Sequence, residues 1–237
     1  MGPLTQSSTD GTVMKYLLTS AGIKNDSIRT ALADMLGKPI EESTGLCIPT
    51  AIYGFPGGGE QSWKMLNGQG RTPLCEIGWA SLGVLELTTC PTLPREVWLP
   101  SIEAADALLV FGGDSLYLSH WVRESGLLDL MPSLEDKVWV GVSGGSMATA
   151  PRVGDEFLYW PTPDGTDRAL GLVDFAIFPH LDHPDLPENQ MADAERWAAA
   201  LDVPAYAIDD QTAIEIIDDH IEVVSEGNWR HFTPAAS

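Results

Sequence analysis

Five short runs of the chain, at residues 14–20, 45–51, 83–89, 107–113 and 137–143, are apolar on both faces. A strand that must hide both faces belongs inside a parallel sheet, because a sheet with one wet face alternates apolar and polar residues instead. Parallel neighbours need long crossovers, and amphipathic stretches fill the gaps between the runs. The clearest is 26–36, where Asn25, Asp26 and Ser27 offer capping oxygens and Gly37 a left-handed stop. Residues 114–131 have helical apolar spacing, and 53–70 read as a Gly-rich polar loop with one short helix. The pattern predicts an α/β fold, a parallel sheet covered by helices on both sides.

Beyond residue 143 the pattern loosens. Residues 156–160 (EFLYW) and 174–180 (DFAIFPH) read as strands, and 189–201 as a helix. AYAI, TAIEII and HIEVVSE near the end suggest a terminal antiparallel hairpin with Asp218–Asp219 at its turn. No repeat, low-complexity tract or Pro/Ser-rich linker interrupts this order, so residues 14–237 are expected to form one domain. Residues 1–13 have neither the positive region nor the apolar stretch of a secretory signal and read as a flexible polar leader.

Composition removes several classes of function. With 44% hydrophobic and 20% charged residues, the 237-residue chain can bury a sizeable core. A net charge of −21 repels a phosphate backbone and an anionic membrane surface alike, so neither nucleic acid nor membrane is an expected partner. No stretch approaches the roughly 18 uncharged apolar residues of a membrane span. Cys47, Cys75 and Cys90 form no CxxC pair and adjoin no histidine cluster, which predicts reduced thiols in a cytoplasmic protein and no zinc site. Both a monomer and a homodimer are compatible with the sequence.

The sharpest chemical signal is Gly141-Val142-Ser143-Gly144-Gly145, a G-x-S-x-G run after an apolar strand and before a helix-capable segment. In that context the motif marks a nucleophile. The turn is so tight that the serine takes a strained backbone conformation and its neighbours must lack side chains. Gly112-Gly113-Asp114 also closes an apolar strand and opens a helix. Side by side in a parallel sheet, the Gly113 and Gly144 amides can form an oxyanion hole, with Asp114 serving as N-cap or touching substrate. Of five histidines, His180 is the one that closes an apolar strand, just after a proline, where a general base is needed. His120 falls within a helix, His183 in a polar loop, and His220 and His231 in the C-terminal hairpin and tail. Two acidic turns can supply a carboxylate to orient the imidazole, Asp209-Asp210 after AYAI and Asp155-Glu156 after the serine turn.

These residues also resemble a known family. LLVFGGDSLYL, GVSGGSM and LGLVDFAIFPHLDH, in that order, look like segments of the peptidase E family, serine aspartyl dipeptidases related to the cyanophycinases. The likeness runs from Met14 onward, through the opening LLTSAGIKNDSIRTAL to the later YAIDDQTAI. It implies a class I glutamine-amidotransferase-like fold: a flavodoxin-like parallel sheet flanked by helices, with a C-terminal β-hairpin. It also implies Ser143 as nucleophile, His180 as base, and Gly113 and Gly144 as oxyanion-hole donors. A D-E-x-T-A stretch of the cyanophycinase-like members resembles residues 209–213 and implies Asp210 as the third member, our preferred assignment. A T-N-D-M-P stretch of the aspartyl dipeptidases resembles residues 153–157 and implies Asp155 instead.

The chain departs from the family pattern at Gly144, where alanine is usual, which keeps the backbone donor and is expected to loosen the turn. Its counterpart of T-N-D-M-P is shortened and lacks the proline. Asp-X specificity further needs a cation for the substrate carboxylate, for which Arg152 and Arg71 are the candidates. The expected activity is that of a cofactor-free serine exopeptidase acting on short peptides, dipeptides with an N-terminal acidic residue above all. The alternatives are an esterase or amidase of other specificity and a catalytically silent metabolite-binding protein. Glutamine amidotransfer is disfavoured, because that chemistry places cysteine at the elbow.

Overall fold

The doubly apolar runs become the centre of a seven-stranded sheet in the computed structural model of the chain, which describes residues 14–70, 72–218 and 220–234. β1 (Lys15–Thr19), α1 (Asp26–Leu36), β2 (Thr44–Ile48), α2 (Gly58–Leu66), β3 (Ser81–Val84), α3 (Arg95–Glu103), β4 (Ala107–Val110), α4 (Ser115–Glu124), β5 (Val138–Val142) and α5 (Gly144–Met147) follow in turn. The first five strands are parallel, in the spatial order β3-β2-β4-β5-β1. Each central strand feeds two cores. Leu18, Leu46, Leu108 and Trp139 pack on one face, while Leu17, Cys47, Leu109 and Val140 pack on the other. That division is the physical reason for the unbroken apolar runs. A side chain such as Leu109, fully buried, contributes about 1.5–3 kcal/mol relative to exposure.

The expected hairpin is present but smaller. β8 (Thr212–Ile217) pairs antiparallel with β1 and with β9 (His220–Ser225), extending the main sheet, and Asp218 takes φ 48° at the turn. AYAI does not join it. As β7 (Ala205–Ile208) it lies in a second sheet, parallel to β6 (Ala176–Phe178) and antiparallel to β10 (Trp229–Phe232). Ala205 and Ala207 there pack with Phe178, Leu201 and Trp197 of α6 (Met191–Ala199), a third core that small side chains let the sheet approach closely.

Two other expectations change, and a helix forms where none was assigned. The third strand ends at Val84, and residues 87–92 curl into a 3-10 turn that contains Pro91 and whose Thr88 amide donates to Glu86 Oε1. Residues 95–103 form a helix despite Pro100, burying Trp98 and Ile102 on one side. Residues 156–160 are not a strand: Gly154 at φ 88° leads into a 3-10 turn over Asp155–Phe157. The proposed leader at 1–13, Arg71 and Asp219 lie outside the described residues. Among those described, no helix is long and apolar enough to cross a membrane. No group of three His, Cys, Asp or Glu among them is placed to hold a metal. All three cysteines are buried and unbridged.

Candidate active site

β4, β5 and β1 are neighbours with parallel direction, so their C-terminal ends converge on one edge of the sheet. Ser143 stands there with φ 49° and ψ −115°, a conformation costing about 1–3 kcal/mol in a residue with a side chain. The turn is overdetermined. Ser143 N–H donates to Thr19 O at 3.0 Å, and the Ser146 and Met147 amides both donate to Ser143 O at 2.9 Å. The Ser146 hydroxyl adds a 2.7 Å bond to Thr19 O. A Cβ on Gly145 would fall 2.3 Å from Val110 O, and one on Gly144 would fall 2.1 Å from Gly113 O. Glycine at 144 therefore tightens the turn rather than loosening it, because the strand ends meet backbone to backbone.

The second sheet supplies the rest. β6 and β7 run parallel, so the residues after them emerge side by side: Pro179-His180 and Asp209-Asp210. His180 Nε2 is 3.0 Å from Ser143 Oγ, and His180 Nδ1 is 2.7 Å from Asp210 Oδ1. His180 itself takes φ 57° and is braced by its amide, which donates to Ser20 Oγ at 2.7 Å. The Ser20 hydroxyl in turn reaches Asp210 Oδ1 at 3.2 Å. The two acids of the turn divide their work. Asp209 accepts from Gln211 N–H and Thr212 Oγ1 and shapes the turn, which leaves Asp210 to the imidazole.

Burial opposes ionisation of Asp210, but hydrogen bonds from His180 and Ser20 and the neighbouring imidazoles outweigh it and hold its carboxyl below the usual carboxylate range. A carboxyl whose pKa is depressed by folding stabilises the native state above the unfolded pKa, about 3.9 for Asp, and that contribution is lost as pH falls through the folded value. The stability advantage of the wild type over Asp210→Asn should therefore be full near pH 6 and shrink towards about pH 3. Urea denaturation across that range checks it, and a pH-independent difference would mean that the pairing contributes nothing.

The Gly113 and Gly144 amides have no acceptor among the described residues, and Gly113 takes φ 138° with its backbone against Ala51. Ser143, His180 and Gly113 open onto a cavity of about 520 Å³. Phe55, Tyr159 and Leu186 line its apolar wall, and Gln61, Thr72 and Glu188 its polar one.

The remaining candidates fall elsewhere. Asp114 is buried and caps α4, its Oδ1 accepting from Leu116 and Tyr117 amides at 3.0 and 2.8 Å. Burial raises its carboxyl above the ordinary range, and it does not line the cavity. Arg152 is engaged by Asp167 at 2.9 Å and Asp202 at 3.1 Å, which keep it charged but away from Ser143. Asp155 lies in its 3-10 turn with no bond to His180, whose carboxylate partner is Asp210. His183 sits 3.7 Å from Asp210 Oδ2, and His120 stacks on Trp160 at 5.1 Å. Ser20 carried no signal in the sequence, since it acquires its place only through contacts far along the chain, and Glu188 carried none because only the folded cavity shows that it lines it.

A strained serine at a strand end, joined through an imidazole to a carboxylate above an α/β sheet, is the arrangement of a serine hydrolase. The profile of peptidase family S51 matches residues 16–224. The chain belongs to that family; it is a serine peptidase and acts on peptides. No curated protein matches the sequence. Among solved structures, a Listeria monocytogenes EGD-e protein provisionally assigned to peptidase E is similar, with TM-score 0.63 and 19% identity over 91% of this chain and 100% of that one. A peptidase from an acI-B1 actinobacterium has TM-score 0.66 and 17% identity over 95% of this chain and 97% of that one. Both have the fold described above.

Proposed function

We propose that the protein is a serine exopeptidase that hydrolyses short peptides through an acyl-enzyme on Ser143. The observation that carries this reading is the unbroken hydrogen-bonded line from Ser143 Oγ through His180 to Asp210 at the floor of an open cavity. In the first step Ser143 Oγ attacks the peptide carbonyl and its proton passes to His180 Nε2. Asp210 holds the Nδ1–H tautomer and stabilises the imidazolium. The Gly113 and Gly144 amides receive the oxyanion, each worth roughly 3–4 kcal/mol to the transition state. His180 then protonates the leaving amine, and the C–N bond breaks. A water, deprotonated by the same imidazole, releases the acid and restores the serine.

The chain order Ser, His, Asp speaks against a standard α/β-hydrolase esterase, whose order is Ser, Asp, His. A silent binding protein would have no need of a strained serine aligned with an imidazole. Preference for an N-terminal aspartate, which the family likeness suggests, lacks support among the described residues of the cavity, since no Lys or Arg lines it. The test is fluorophosphonate labelling combined with turnover of a panel of X-Leu dipeptides. Stoichiometric labelling at Ser143 with hydrolysis of the panel is expected; an unlabelled protein that binds but never cleaves peptides would overturn the proposal.

A further inference from the structure

We propose that Glu188 receives the α-ammonium of peptides whose N-terminal side chain is neutral, so that the enzyme selects against acidic N-termini. The inference rests on the serine-peptidase reading and assigns another part of the same cavity. Glu188 is the one carboxylate among the described residues that line it, and no described Lys or Arg does. Its carboxylate is exposed, and no hydrogen bond or ion pair among the described residues holds it. An exopeptidase must recognise a chain terminus, and a free carboxylate lining the same cavity as Ser143 is the complement of an ammonium ion.

Three further observations agree. The wall beside Glu188 is built from Tyr159, Leu186 and Phe55, with the Phe55 and Tyr159 rings 5.9 Å apart, a surface for an apolar side chain. Burial, together with the negative charges of Glu188 and Asp114, pushes the Tyr159 hydroxyl above its ordinary pKa, so it stays protonated in a field that favours cations. The whole chain, at −21, extends that field and repels a second carboxylate. An aspartate side chain at the N-terminus would meet local and global repulsion with no described Lys or Arg on the cavity wall to offset it. The carboxylate also lies on an exposed loop, so its replacement should leave the fold intact.

The test compares wild type with Glu188→Gln on Leu-p-nitroanilide, Asp-p-nitroanilide and N-acetyl-Leu-p-nitroanilide, reading KM and kcat separately. Wild type should prefer the free-amine leucine substrate over both others. In the variant, kcat/KM for that substrate should fall roughly 10- to 100-fold, mostly through KM, and the preference over the acetylated substrate should shrink by the same factor. Added salt should raise KM for wild type and not for the variant. The inference is overturned if the variant keeps the wild-type ratio, or if wild type prefers Asp-p-nitroanilide over Leu-p-nitroanilide. An active, labelled enzyme with either result sinks this assignment alone. A wild type that is neither labelled nor active sinks both readings together.

Discussion

Ser143→Ala should lower kcat on a short peptide by on the order of a million-fold, with KM little changed. The magnitude follows from what the hydroxyl does. Without it there is no acyl-enzyme, and only the amide donors and substrate positioning remain, which by themselves keep roughly 10³–10⁴-fold over the uncatalysed reaction. Stability should barely move, because the turn is held by backbone bonds to Thr19 and by the Ser146 hydroxyl, none of which uses Ser143 Oγ. Quantifying released amino acid by chromatography over long incubations, beside a thermal melt, separates lost chemistry from lost fold. A variant keeping a few per cent of wild-type kcat would mean that another group attacks the carbonyl.

Asp210→Asn should cost on the order of 10⁴-fold in kcat, the penalty for presenting the wrong imidazole tautomer to the serine. The carboxylate at 2.7 Å accepts from Nδ1–H, which leaves Nε2 free to take the Ser143 proton. An amide nitrogen in that place would donate to Nδ1 and put the ring hydrogen on Nε2. Ser20 complicates the exchange, since its hydroxyl lies 3.3 Å from Nδ1 and 3.2 Å from Asp210 Oδ1 and can partly restore the tautomer. The double variant with Ser20→Ala should then be slower still. Asp155→Asn serves as the contrast and should stay within about twofold, as surface changes away from a site do. Steady-state kinetics of the three variants at one pH decides between the two acids that the sequence leaves open.

How much of this was legible beforehand depended on how local its cause is. α1 runs over the residues that its caps dictate, because Asn25 Oδ1 accepting from Ile28 N–H and Gly37 at φ 68° are short-range events. The serine turn was legible for the same reason: glycines flank it wherever two backbones collide. α3 was hidden by Pro100, whose missing donor is offset by the burial of Trp98 and Ile102. Residues 156–160 have strand-like composition, yet Gly154 and the Asp167 carboxylate that accepts its amide turn the chain aside. β7 looked like part of the final hairpin, and only its pairing with β6 brings Asp210 beside His180. Ser20 was illegible in principle, since its partners lie 160 and 190 positions away.

The proposed nucleophile and its proposed base belong to differently packed layers. Ser143 is fixed by the main sheet, while His180 and Asp210 hang from the small sheet of β6, β7 and β10, which has a core of its own around Phe178 and Trp197. Neither layer alone can cut a peptide bond. In the proposed mechanism, catalytic competence is therefore a property of their docking, because the 3.0 Å gap between imidazole and hydroxyl spans the two layers. β10 lines no part of the cavity, yet through its pairing with β7 it belongs to the sheet from which His180 and Asp210 emerge.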